Sequence, residues 1–317
     1  MTFTQTAKNE LLNNNKNLSP CCKTVFLGCL IRTIGNIEIN FNGFGFSLAS
    51  ENLNLLKFAA SLTEKSFGAS CRIVGEEGGR LKNRTLYRLL CDKSESVLFE
   101  CGVLSVDSEG LRQINPAFDQ SMLVDECCKK AFVVAMFLGC GSVTLKDGYH
   151  CEFDVNESSL AAQLVSVLEG FMFSPKVSKR KYGSVVYFKG SDEISDLLVL
   201  MGVNKALFTL QDTIVERSFR NRANRQTNCI SANIGKVVDA SEKQLAAIRL
   251  IEEKSGLNSL PEKLLKTALL RKQNPSASLD ELVALSDECV SKSGLNHRFR
   301  KILEIANDLK GGQNEDC

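Results

Sequence analysis

The chain has 317 residues, 44% of them apolar and 24% charged, with a formal net charge of +2. These values exclude a disordered or fibrous polypeptide and leave room for two or three cored domains. So small a net charge excludes a general polycation, and any attraction to nucleic acid has to come from local patches.

Residues 1–18 read as a short helix or arm rich in Asn. An apolar helix follows at 20–34 (PCCKTVFLGCLIRTI), closed by Gly35. Next come two strands, Ile37–Asn40 and Phe44–Ala49, turned at Asn42-Gly43. A helix over 51–67 has apolar residues at helical spacing (Leu53, Leu56, Ala60, Phe67). A second hairpin, Cys71–Val74 and Thr85–Cys91, and a helix near 94–101 ending at Gly102 complete a first unit, 19–104. The second unit, 105–222, repeats this order. Its helix is 123–139 and its strands are Ser142–Lys146 and Tyr149–Val155, turned at Asp147-Gly148. A helix over 157–172, strands near 176–180 and 184–189, and a helix 191–201 follow. Cys21/Cys127, Cys22/Cys128, Lys23/Lys129, Phe26/Phe132 and Gly35/Gly141 match at one constant offset. Tyr87/Tyr187, Gly102/Gly202 and Val103/Val203 match at a slightly shorter one. Agreement of order, turns and closing glycines makes this an internal duplication rather than a coincidence of apolar helices.

A helix is expected to run to about 222, followed by a basic, Asn-rich linker over 223–240; Arg220, Arg222 and Arg225 around this junction are candidate DNA contacts, and a solvated connector is the bland alternative. The segment 241–310 is all helical by pattern. Capping boxes at Ser241/Gln244, Ser259/Glu262 and Ser278/Glu281 predict three helix starts, and Asn274-Pro275 a stop. In the last helix Leu295, Phe299, Ile302, Ala306 and Leu309 form an apolar stripe. The opposite face carries Ser293, Asn296, His297, Arg300 and Lys301, flanked by Lys292 and Arg298. A short helix, a turn and a helix whose first half is rich in donors is the layout of a helix-turn-helix, in which Asn can pair with an adenine edge and Arg with guanine. A plain three-helix bundle with a solvated basic face is the alternative. Secondary DNA contacts are expected at the outer hairpins, from Arg80 and Arg84 in the first unit and Lys179, Arg180 and Lys181 in the second. The tail 311–317 is expected to be disordered.

The 13 cysteines accompany only two histidines, and none makes a C-x-x-C pair. The sequence therefore predicts no metal set and no disulfide framework; most cysteines read as small buried hydrophobes. No apolar run reaches the roughly 18 residues of a membrane span and the first residues lack an apolar signal core, so the expected location is the cytoplasm.

The duplicated helix-strand-strand-helix-strand-strand-helix order, with Gly-closed helices, resembles the LAGLIDADG homing endonucleases. The matching stretches are Leu27–Gly35 and Val133–Gly141. In that family the carboxylate before the final Gly binds the catalytic metal. Ile34 and Cys140 stand there in this chain, and neither suits Mg²⁺. The combination with the helix-turn-helix resembles the WhiA family of bacterial sporulation and cell-division regulators, through TNCISANIGKVVDAS (227–241), SLPEKLLKTALLR (259–271), SASLDELVAL (276–285) and VSKSGLNHRFRKI (290–302). The expected fold is thus α+β, a degenerate LAGLIDADG-like domain followed by an all-α helix-turn-helix domain. The resemblance implies a double-stranded DNA-binding transcriptional regulator at the bacterial nucleoid, with no cofactor and no catalytic residues. It also implies partnership with RNA polymerase or a WhiB-type iron–sulfur protein in some relatives. A LAGLIDADG-type nuclease and a non-DNA interaction or ligand-sensing scaffold are the competing readings.

Overall fold

The computed structural model describes residues 2–40, 43–76 and 85–311, in two compact units, 1–216 and 217–317. The first unit begins with α1 (Phe3–Asn14). Thr2 and Gln5 cap it reciprocally, satisfying two backbone donors that helix geometry leaves open. It buries Ala7, Leu11 and Leu12, so the expected arm is a core element. Polar composition hid it, because half-buried polar residues take part in its docking: Thr4 bonds to Val143 and Glu10 to the start of the helix that begins at Asn204.

The first repeat runs α2 (Pro20–Ile34), β1 (Gly35–Asn40), β2 (Gly43–Ser50), α3 (Leu53–Phe67), β3 (Arg72–Glu76), β4 (Leu86–Cys91) and α4 (Glu95–Glu100). A small hairpin, β5 (Leu104–Val106) and β6 (Arg112–Ile114), and a 3-10 turn, Gln120–Leu123, connect it to the second repeat. The hairpin was not expected. Its turn is nonetheless written in the sequence: the Asp107 carboxylate accepts from Glu109 N and Leu111 N, and Gly110 takes φ +79°. The second repeat runs α5 (Glu126–Cys140), β7 (Gly141–Thr144), β8 (His150–Val155), α6 (Ser158–Gly170), β9 (Lys176–Lys179), β10 (Ser184–Phe188) and α7 (Ser191–Met201). Both four-stranded sheets are antiparallel and share one order, β1-β2-β4-β3 and β7-β8-β10-β9, which makes the duplication a fact of topology.

The centre of this unit is the pair α2 and α5, apolar on nearly all sides and buried. Phe26, Leu27 and Leu30 of α2 and Phe132, Val133 and Phe137 of α5 are fully enclosed, each contributing about 1.5–3 kcal/mol by leaving water. Near their starts, Cys21 Sγ lies 4.0 Å from Cys127 Sγ, across a sequence separation of 106. Near their ends, a Cβ on Gly139 would overlap Thr33 Oγ1, at that same separation. Equivalent residues meet at both ends, so the helices lie parallel about a pseudo-twofold axis. One expectation about cysteine is corrected here, and one grouping of cysteines was not foreseen. Cys71 and Cys91 form a disulfide between the start of β3 and the end of β4. The four sulfurs of Cys21, Cys22, Cys127 and Cys128 lie within 4.8 Å of one another. Spacing rules within one segment missed the second group because it is built from two helix starts.

The long α8 (Asn204–Ser255) begins in the first unit, where Glu10 of α1 accepts from Lys205 N (2.8 Å) and Ala206 N (3.0 Å). The expected linker over 223–240 is therefore helix. The segment has no proline and one glycine, Gly235, and both ends of α8 are anchored by buried residues, Leu210 and Ile248. Weak propensities cost under about 1 kcal/mol per residue, and anchored ends remove the cost of nucleation, so the helix carries through. The second unit continues with a 3-10 turn (Leu257–Ser259), α9 (Glu262–Gln273), α10 (Leu279–Ala284) and α11 (Lys292–Gly311). Of the three expected capping boxes only Ser278/Glu281 caps a helix. Ser241 sits inside α8 and its hydroxyl donates to the Pro275 carbonyl, while Ser259 donates to Gly256 O. The tail 312–317 lies outside the described residues.

Candidate nucleic-acid interface

The second unit is keyed by a buried arginine. Arg271 is 1% exposed; its Nε donates to Gln244 Oε1 (2.9 Å) and its Nη1 to Ala277 O (2.6 Å) and Asn274 O (3.3 Å). Its guanidinium lies 5.3 Å from the Phe299 ring centre, and burial lowers its pKa. One side chain thus joins α8, α9, the loop before α10, and α11. Leu295, Phe299, Ile302 and Ala306 of α11 are buried against Ile248, Ile251, Leu264 and Leu282, the expected apolar stripe.

Burying that stripe fixes which side of α11 meets water. Ser293, His297, Arg300 and Lys301 are exposed and Asn296 half-buried, so the expected donor-rich face exists as a surface. Ser291 Oγ accepts from Gly294 N, giving α11 a defined start. Lys292 forms an ion pair with Asp280 of α10 (2.6 Å) at an exposed position, where such pairs are weak and open to exchange for a phosphate. Arg298 differs from expectation. It donates to Glu288 (2.6 Å) and Thr267 (3.4 Å) and is only 19% exposed. It braces the turn between α10 and α11 rather than facing outward. Glu288 also meets Lys266 (3.4 Å), and its carboxyl is held below the usual range, first by the hydrogen bond from Arg298.

The other expected contacts are scattered. Arg220, Arg222 and Arg225 are exposed on α8, and positions two apart on a helix do not share a face, so Arg220 points away from Arg222. Lys179 is exposed on β9; Arg180 is paired with Asp154 (2.7 Å), and Lys181 lies over the Tyr182 ring. Arg80 and Arg84 lie outside the described residues.

At the ends of α2 and α5, where a LAGLIDADG nuclease would hold its metal, Ile34 packs against the core and Cys140 Sγ donates to Met136 O (3.3 Å). Burial pushes the Cys140 thiol up to about 12, and it desolvates the neighbouring Lys8, whose pKa is lowered. At these two positions a hydrocarbon side chain and a protonated thiol supply no oxygen ligand for Mg²⁺. Sequence reasoning also missed Arg32 in the first repeat. It donates to the carbonyls of Gly28, Cys101, Gly102, Asn115 and Ala117 and stacks 4.0 Å from the Phe118 ring centre. Desolvation lowers its pKa to about 10.

The family model of the WhiA C-terminal HTH domain matches residues 223–306, and that of the WhiA LAGLIDADG-like domain matches residues 129–220. A relative named probable cell division protein WhiA, from Macrococcus caseolyticus, is 35% identical over 99% of this chain and 98% of its own. One of the same name from Desulforamulus reducens is 34% identical over 99% and 98%. Among solved structures, full-length DUF199/WhiA from Thermatoga maritima has the same fold, with a TM-score of 0.55 at 22% identity, covering 97% of this chain and 99% of that one. The duplicated sheets, the apolar helix pair, the helix-turn-helix and this full-length similarity lead to one conclusion: the chain belongs to the WhiA family.

Proposed function

We propose that this chain is a sequence-specific DNA-binding transcriptional regulator acting in cell division or sporulation, and that its LAGLIDADG-like half is a scaffold without nuclease activity. The observation that carries this reading is the exposed first half of α11, with Asn296, His297, Arg300 and Lys301 presented by a helix whose other side is locked into its own core. In this reading Asn296 and Arg300 contact base edges in the major groove, and Lys292, Ser293 and the helix start contact phosphates. Arg222, Arg225, Lys179 and Lys181 add salt-dependent, sequence-independent attraction. In its finer form this reading has the chain act at the nucleoid, together with RNA polymerase or a WhiB-type protein. No helix among the described residues is long and apolar enough to cross a membrane.

The test is a binding-site selection with the full chain. Asn296→Ala and Arg300→Ala should each relax preference at one or two base positions, losing about 1–3 kcal/mol of discrimination per contact. An Arg298→Ala change should instead lower stability while leaving the selected sequence unchanged. A selected motif indifferent to Asn296 and Arg300 would remove α11 as the reading element.

A further inference from the structure

The parallel pair α2 and α5 brings two adjacent-cysteine pairs together at its start. Cys21 and Cys22 lie in the first turn of α2, Cys127 and Cys128 in the first turn of α5. All four Sγ atoms lie within 4.8 Å of one another, and Cys21 Sγ and Cys127 Sγ are 4.0 Å apart. We propose that Cys21, Cys22, Cys127 and Cys128 form a tetrathiolate site for a single Zn²⁺ ion, joining the two repeats at the start of their central helices.

The metal is chosen by donor type and by distance. Four thiolates and no oxygen or imidazole select a soft or borderline ion. A Zn–S bond of about 2.3 Å puts the sulfurs of a tetrahedron roughly 3.8 Å apart. The four sulfurs need to close by no more than about 1 Å to reach that spacing, which side-chain rotation supplies without moving a helix. An iron–sulfur cluster interposes several irons and sulfides between its cysteines and holds them further apart, so this group is too tight for one. Paired disulfides would draw the sulfurs into two couples rather than one mutual group.

The surroundings suit a negatively charged centre. Both pairs sit where free N–H groups and the positive ends of two helix dipoles converge, which stabilises thiolate. Ser19 is the residue before α2 and makes no capping hydrogen bond to the backbone; its hydroxyl lies 3.2 Å from Cys21 Sγ instead. Cys22 and Cys128 are buried and Cys21 and Cys127 exposed, so one side of the group is open for an ion to enter. Binding releases the thiol protons to solvent and forms four Zn–S bonds; no oxidant or reductant takes part.

The full chain, purified and kept under a thiol-free reductant, should retain one equivalent of zinc after dialysis, measured by elemental mass spectrometry. Replacing Zn²⁺ by Co²⁺ should give the intense visible bands of a tetrahedral tetrathiolate. The double variant Cys21→Ser, Cys127→Ser changes only exposed positions, so it should fold, and it should lose both the zinc and the cobalt spectrum. Cys229→Ser and Cys289→Ser, exposed cysteines of the other unit, should lose neither. Three outcomes would overturn the site: wild-type protein that takes up no zinc under these conditions, zinc retained in full by the double variant, or a Cys21–Cys127 disulfide in protein prepared without oxygen.

Discussion

Arginine does opposite kinds of work at different positions, and burial decides which. Arg32 and Arg271 are surrounded by backbone carbonyls and an aromatic ring, with no carboxylate partner among the described residues, so each acts as a fixed fork of donors that ties loops to helices. Neither role was legible in the sequence, because a buried arginine and a DNA-facing one are the same letter, and only three-dimensional burial separates them. Arg32→Met should destabilise the first unit by about 3 kcal/mol or more, since it leaves several buried carbonyls without a donor; chemical denaturation measures this. Arg298 was misplaced for the same reason, and its partner gives a pH test. The folded pKa of Glu288 lies below the ordinary glutamate value, so the stability it contributes is complete above about pH 4.3 and is lost as pH falls through the lower folded value. The melting-temperature gap between wild type and Glu288→Gln should be widest near neutral pH and close on acidification toward pH 3. A gap that grows with acid would show that Glu288 is not bound as an anion.

At the level of elements, the strands and short helices were readable because alternation, glycine turns and closing glycines are local signals. The failures were those of context. Residues 223–240 have the composition of a linker but are held helical from both ends, and Ser241 and Ser259 carry capping patterns at places where tertiary partners claim their hydroxyls. The helix pair α2 and α5 shows how closely two elements can be fitted. Gly139 faces Thr33 with no room for a methyl group, and neighbouring helix turns cannot yield. Gly139→Ala should therefore destabilise by about 1–3 kcal/mol despite alanine's better helix propensity, and adding Thr33→Ala should recover part of that loss. Equal or greater stability of the single variant in thermal melts would mean that the two helices are further apart than described.

For the whole molecule, the nuclease-like half keeps the sheets, and in the function proposed above it does no cutting. Supercoiled plasmid incubated with the full chain and Mg²⁺ or Mn²⁺ should remain uncut, because Ile34 and Cys140 stand where carboxylates would be needed. Metal-dependent cutting that disappears on replacing Asp154 would reverse that conclusion. The duplication was visible in the sequence as matched letters at constant offsets, whereas the role of the first dozen residues was not. Thr4 of α1 exchanges hydrogen bonds with Val143 across 139 residues, and Glu10 caps α8 across 195. These long separations bear on biogenesis. During translation α1 leaves the ribosome well before the edge strand and the helix start that it completes. At about 5–20 residues per second the growing chain spends roughly ten seconds or more with Leu11 and Leu12 lacking part of their native cover. The first unit can close only after residue 206 has emerged, so chaperones have their opportunity before the second unit is complete.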